Sequence, residues 1–411
     1  MQFFLKILFF LLPTASIISA NISLGIDVLV ENNFAPLQKK KIGLLTNQSG
    51  RNSKGILTAE IMSKTDKLNL KYIFVPEHGL WGNLPAGQKV SDANFNGIPV
   101  ISLYGDKRTP NLKHIKELDA LVVDIQDIGI RSYTYISTMY YFIKAAAEAQ
   151  KPVFILDRPN PINGVTIDGN VLEEDKKSFV GIMPIPYIHG MTIGELAKMM
   201  VGEGWLGSDK KGKKLKTQVE VIQMKGWKRE MCFEDTGLMW FPTSPHIPTV
   251  DAIRGAALVG IFGELGILNI GIGTTLPFQY IGSPDFKAEE VLNELNKYNF
   301  DGISFFRAQF RPFYAKFKEQ TCEGIIFKFN CNQNYSPMKY GALLISAVKT
   351  VHPELFNKAD IPNKTKDMFI KVTGTDDYFN SLFSPNDFSY ISLCSRGIEQ
   401  FKIIRNKYLL Y

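Results

Sequence analysis

An alternation of short apolar runs with segments of helical spacing constrains this chain more than any other feature. Lys41–Asn47, Tyr72–Pro76, Ile98–Leu103, Ala120–Val123, Pro152–Leu156 and Val219–Met224 read as strands. Ile56–Met62, Asn111–Leu118, Ser137–Gln150 and Thr192–Val201 read as helices, the last opened by Thr192 and Glu195 at capping-box spacing. Strands that alternate with helices imply βαβ units and a mostly parallel sheet. Their near-continuous apolar character fits a sheet covered on both faces. Beyond about residue 280 the pattern changes to an amphipathic helix (Lys287–Lys297), a strand (Gly324–Phe329) and a helix (Tyr340–Val351). The expected architecture is α/β, with a mostly parallel sheet domain over residues 21–283 and a smaller α+β domain over 284–411.

Composition narrows the class. The chain has 411 residues, 45% of them hydrophobic, enough for two domains with substantial cores. Lys and Arg exceed Asp and Glu by seven (47 against 40). The basic runs Lys39–Lys41 and Lys210–Lys214 read as solvated surface, and no nucleic-acid-binding module is visible. Lys6 followed by the apolar stretch Ile7–Ala20 reads as an export signal, residues 1–20, cleaved after Ala20. The expectation is an exported protein, periplasmic or secreted, with no stable membrane insertion after cleavage. Export permits disulfides. Cys322 and Cys331 could pair across a hairpin or pack as free thiols, while Cys232 and Cys394 carry no metal-like spacing.

Three strand-like runs end in carboxylates. Glu77 follows Tyr72–Pro76, Asp124 and Asp127 follow Ala120–Val123, and Asp157 follows Pro152–Leu156. In open α/β sheets the ligand crevice lies outside the carboxyl ends of the strands. Glu77 sits in Val75-Pro76-Glu77-His78-Gly79, where Pro76 ends the strand and Gly79 permits a sharp turn. Trp81, Asn83 and Gln88 downstream suit a sugar ligand. Asp124, Gln126, Asp127, Arg131, Tyr133 and Tyr135 form a dense polar run, whose alternative role is an Asp–Arg pair with helix-capping groups. Asp157, Arg158 and Asn160 lie in a loop stiffened by Pro159 and Pro161. His189 precedes the Thr192 cap, and His246 lies in the proline-braced stretch Phe241–Pro248.

Several mechanisms lack their motifs. There is no GxSxG elbow, no P-loop, no complete dinucleotide fingerprint and no HExxH spacing. Paired carboxylates without a metal or other cofactor fit glycoside hydrolysis. A metal-dependent hydrolase or deacetylase built on His78 and His189 is a weaker alternative.

These motifs, in this order, resemble the exo-β-N-acetylmuramidase family across nearly the whole chain after residue 20. The matching stretches are Gly43–Gly50, Glu77–Gly79, Asp124–Tyr135, Leu156–Pro161, His189–Leu196, Asp235–Leu238 and Lys407–Tyr411. The resemblance implies a Rossmann-like domain followed by a smaller one, and release of non-reducing terminal N-acetylmuramic acid from peptidoglycan-derived saccharides. It implies that Glu77 is the catalytic acid and leaves the second carboxylate among Asp124, Asp127 and Asp157. The lactyl carboxylate of muramic acid calls for a cation at the site, for which Arg131 and Arg158 stand at strand ends. The chain departs from the family at Leu268–Phe278, where isoleucines (Ile270 and Ile272) replace a glutamate and an arginine, and at Thr243–His246, which replaces a Pro-Ser-Pro-Asn loop. That departure motivates a second possibility, a non-catalytic paralogue that binds muramic acid saccharides.

Overall fold

The computed structural model describes residues 22–411, and the expected export signal lies outside them. Twelve strands occur among the described residues. They are β1 (Lys41–Thr46), β2 (Asn69–Val75), β3 (Ala93–Phe95), β4 (Ile98–Ser102), β5 (Ala120–Asp124), β6 (Val153–Leu156), β7 (Asp168–Val171), β8 (Pro186–Ile188), β9 (Val219–Ile222), β10 (Tyr280–Ser283), β11 (Ile303–Phe310) and β12 (Cys322–Phe329). Seven of them form one sheet in the order β3-β4-β2-β1-β5-β6-β9. All neighbours in it are parallel except the short edge pair β3 and β4.

One face of this sheet packs Leu45, Phe74 and Val123 against the helices Thr134–Glu148 and Ile193–Gly202. The other packs Leu44, Ile73 and Val122 against Ile26 and Leu29 of the helix Gly25–Glu31 and Met62 of Thr58–Lys64. Continuous apolar strands are therefore covered on both faces, as their composition requires. Thr192 caps its helix with both hydrogen bonds of the expected box in place.

The second body carries a three-stranded antiparallel sheet, β10-β12-β11, and a cluster of helices. Two elements ahead of the expected boundary at 283, the helix Val250–Gly263 and β10, pack in its core. Their all-round apolar sequence gives no period that would assign them to either side. The cysteine expectation needs correction. Cys232 and Cys331 form the disulfide, 99 residues apart in sequence, while Cys322 and Cys394 are free and buried. Cys322 points into the core from β12, whereas Cys331, just past the strand end, meets the loop ahead of Phe233.

Arg131 joins the two bodies. Its guanidinium donates to the carbonyls of Asn170 (2.7 Å) and Ile185 (2.8 Å) on one side. On the other it donates to Val372 (3.1 Å) and Thr373 (2.8 Å) of the helix Asn363–Thr373. Burial pushes its pKa down to about 10. Asp168 reinforces the junction, accepting from the Ser336 hydroxyl and the Met338 amide, each at 2.8 Å.

Asp157 anchors the chain end. It accepts from Gly194 N, Thr192 Oγ1 and the Tyr411 hydroxyl, each at 2.8 Å, with no exposure to solvent.

Arg131→Met should lower unfolding free energy by about 3 kcal/mol or more in urea titrations, because four buried carbonyls lose their donor. A loss under about 1 kcal/mol would show that water replaces it. Burial raises the Asp157 carboxyl to about 6 against its hydrogen bonds, from an ordinary value of 3.8. A raised carboxyl contributes stability that is fully present below the ordinary value and lost as pH rises through about 6, here by up to about 3 kcal/mol. Asp157→Asn should therefore flatten the stability profile between pH 4 and 6. Equal slopes in the two proteins would contradict this origin.

Candidate active site between the two bodies

The turn after β2 is unusual. His78 has φ +71° and Gly79 φ +75°, so two consecutive residues occupy the left-handed region. The backbone doubles back and leaves the Glu77 side chain facing the space between the bodies. Glu77 is buried, at 7% exposure. Its Oε1 accepts from Gly87 N at 2.9 Å and its Oε2 from Thr134 Oγ1 at 2.6 Å. The Tyr104 hydroxyl lies beside it, with its pKa pushed up to about 12 by burial and by the hydrogen bond to Glu77. His78 Nδ1 lies 2.7 Å from Leu84 O, a carbonyl that can only accept, so Nδ1 is the donor.

These groups line a cleft of about 550 Å³, within the range of small-molecule sites. The sheet domain contributes Glu77, His78, Tyr104, Arg108, Ser132, Tyr133, Thr134 and Tyr187. The second body contributes Glu264, Phe278, Met368 and Lys371, and the loop before it Ser244, His246 and Ile247. His246 Nε2 meets the Tyr314 hydroxyl at 2.8 Å, and burial lowers its pKa. Glu264 follows the helix Val250–Gly263 as its C-cap. Solvent reaches its side chain, yet protein closes round it on most sides, and that desolvation raises its carboxyl above the ordinary range. Burial also pushes the Tyr133 hydroxyl well above its usual value.

Of the residues singled out in the sequence, Glu77, His78, Tyr133 and His246 meet in this cleft. The others stand elsewhere, each for a stated reason. Asp124 has no exposure and pairs with Arg158 Nε and the Thr58 hydroxyl. Arg158 donates in addition to Arg51 O at 2.6 Å. Asp124, Arg158 and Arg131 are thus buried, bonded to protein groups and absent from the lining of this cleft. Asp157 is sealed by its three donors, as described above.

Asp127 lies just behind the cleft wall, with Oδ2 on Gly129 N at 2.8 Å and 3.3 Å from His189 Nε2. His189 accepts from Met191 N on Nδ1 (3.2 Å), so its proton is assigned to Nε2, facing Asp127. Gln126 donates to Asp127 O and Pro159 O, each at 2.8 Å. Asn160 donates to Met191 O at 3.1 Å and sits so close to Gly129 that a Cβ there would lie 2.5 Å from its Oδ1. Asp127, His189, Gln126 and Asn160 therefore form a polar brace under the loop that leads to Tyr133.

Sequence reasoning missed Tyr104, Arg108, Glu264 and Lys371. Tyr104 and Arg108 follow β4, a parallel strand whose carboxyl end also borders the crevice, so the strand-end rule could have found them. Nothing local marks Glu264 or Lys371, which face the cleft only because the second body folds over it.

His78 and His189 are not part of any metal-ligand cluster among the described residues. The one group of Cys, Asp and Glu atoms close enough is Cys232, Asp235 and Cys331, and its thiols are joined in the disulfide. In the altered loop, Ile270 is buried against the helix that ends at Gly263 and Ile272 packs on the second core, while Phe278 reaches the cleft.

Comparison with known proteins agrees with this architecture. Residues 42–251 match the N-terminal domain, and 257–411 the C-terminal domain, of the exo-β-N-acetylmuramidase NamZ family. The peptidoglycan β-N-acetylmuramidase NamZ of Bacillus subtilis (strain 168) is 35% identical over 390 residues, 94% of this chain and 91% of that protein. Two crystal structures of DUF1343 family proteins from Bacteroides fragilis NCTC 9343 share the fold. One has a TM-score of 0.86 at 36% identity, covering 95% of this chain and 99% of that one. The other has a TM-score of 0.71 at 29% identity with the same coverage. The strand order, the crevice with its Glu77 turn and these matches over both domains converge: the chain belongs to the exo-β-N-acetylmuramidase family.

Proposed function

We propose that this protein is an exported glycoside hydrolase that releases N-acetylmuramic acid from the non-reducing end of peptidoglycan fragments, with Glu77 and Glu264 as its carboxylates. The observation that carries the reading is Glu77, held by Gly87 and Thr134 in a cleft of saccharide size that a second carboxylate, Glu264 of the other body, also lines. Glycosidases need two carboxyl groups flanking the scissile bond, one to move a proton and one to attack, or to activate water. Asp124 and Asp157 are sealed by their own partners and Asp127 is buried behind the cleft wall against Gly129 N and His189, so the carboxylate besides Glu77 that lines the cleft is Glu264. Tyr104 and Thr134 hold the Glu77 oxygens in place, and Tyr187 and Phe278 offer apolar surface to a pyranose ring.

Export is supported by the Cys232–Cys331 disulfide, since such bonds form in oxidising compartments. The second reading, a binding paralogue without turnover, rests on the isoleucines at 270 and 272, which fill apolar positions here.

The deciding assay uses a chromogenic β-N-acetylmuramic acid glycoside with its N-acetylglucosamine analogue as control. Wild type should release chromophore from the first. Glu77→Gln should lower kcat by about a hundredfold or more, as expected for loss of acid–base catalysis. Glu264→Gln should cost at least tenfold, and full activity in that variant would remove Glu264 from the chemistry. Binding of a muramic acid disaccharide without any release would favour the paralogue. For export, thiol labelling of freshly extracted protein should tag Cys232 and Cys331 only after reduction. Labelling of both without reductant would count against an oxidising compartment.

A further inference from the structure

The cleft is lined by two cations, Arg108 and Lys371, that have no assigned work. Arg108 lies on the loop after β4, exposed, with its guanidinium carbon 4.0 Å from the centre of the Phe179 ring. Phe179 in turn packs 6.0 Å from the Tyr104 ring, and Tyr104 touches Glu77. Two aromatic rings, Phe179 and Tyr104, thus link the guanidinium to the Glu77 carboxylate. Across the cleft stands Lys371, exposed, on the helix Asn363–Thr373. Among the described residues neither cation has a carboxylate in ion-pair reach. The acid nearest Arg108 in sequence, Asp106, is paired with Lys89. Stacking on Phe179 fixes the plane of the Arg108 guanidinium and leaves its N–H edge free, the arrangement that suits a carboxylate held by two parallel hydrogen bonds.

N-Acetylmuramic acid differs from N-acetylglucosamine by a lactyl ether that carries one carboxylate. A sugar whose glycosidic oxygen lies at Glu77 would extend its ring past Tyr104 and bring that carboxylate within reach of Arg108. We propose that Arg108, seconded by Lys371, reads the lactyl carboxylate and so sets the preference for muramic acid over glucosamine. This rests on the muramidase reading above. It replaces Arg131 and Arg158, which are buried and do not line the cleft, with both Arg131 Nη atoms and Arg158 Nε and Nη2 bonded to protein groups.

The test compares kcat/KM on the β-N-acetylmuramic acid glycoside with that on the same glycoside bearing a neutral lactyl carboxamide. Wild type should prefer the acid by about 30-fold, the scale of a charge-assisted hydrogen bond. Arg108→Met and Lys371→Met should each lower that ratio, and the double variant should bring it within about threefold of unity. Turnover of the carboxamide, whose C=O still accepts a hydrogen bond but carries no charge, should fall far less than that of the acid in all three variants, a split that a merely structural role for either residue would not give. An unchanged ratio in the double variant, or a parallel fall on both substrates, overturns the assignment. Wild type that cleaves both substrates equally also overturns it while leaving the muramidase reading intact. Wild type that cleaves neither removes the muramidase reading and this assignment with it.

Discussion

One buried arginine ties together the two bodies whose junction forms the cleft. Arg131 carries a full charge into the protein interior, where an unpaired ion costs far more than a missing hydrogen bond. It is tolerated because four backbone carbonyls, two from each side of the junction, converge on it. Those carbonyls belong to the segments that fix β7, β8 and the end of the helix Asn363–Thr373. Glu264, Lys371 and Phe278 face Glu77 only while that junction keeps its geometry. The charge that reads as a substrate contact in the sequence is the clamp that makes the site.

The carboxylates divide in the same way. Glu77, Asp124 and Asp157 all stand at strand ends, yet their surroundings differ. Asp124 meets a guanidinium and a hydroxyl, and Asp157 meets three donors that include the side chain of the last residue. Both are structural, because a buried carboxylate is retained only when such partners offset its desolvation. Glu77 escapes because the paired left-handed residues His78 and Gly79 swing its turn off the sheet edge and into the crevice. Strand-end position alone therefore does not give a carboxylate a role at this site.

The parallel sheet, its two covered faces, the capped helix at Thr192 and the placing of Glu77 were legible in the sequence. Each depends on short-range facts: a two- or 3.6-residue period, a cap, a proline before a turn. The family resemblance was legible for the same reason, since its motifs are runs of adjacent residues. The helix Val250–Gly263 was not, because a helix buried all round has no polar face to mark its period. The partner of Cys331 was not, because a disulfide depends on distance in space, and Cys232 is 99 residues away.

Local chemistry thus determined the scaffold and the one carboxylate that a sharp turn presents. Only the tertiary structure decided which charges face solvent and which face backbone. It seals Arg131, Arg158, Asp124 and Asp157, and it brings Arg108, Glu264 and Lys371 to the cleft from three distant segments. The reason is physical: whether an ion serves structure or ligand depends on the donors and acceptors within about 3 Å of it, and sequence order does not carry that information.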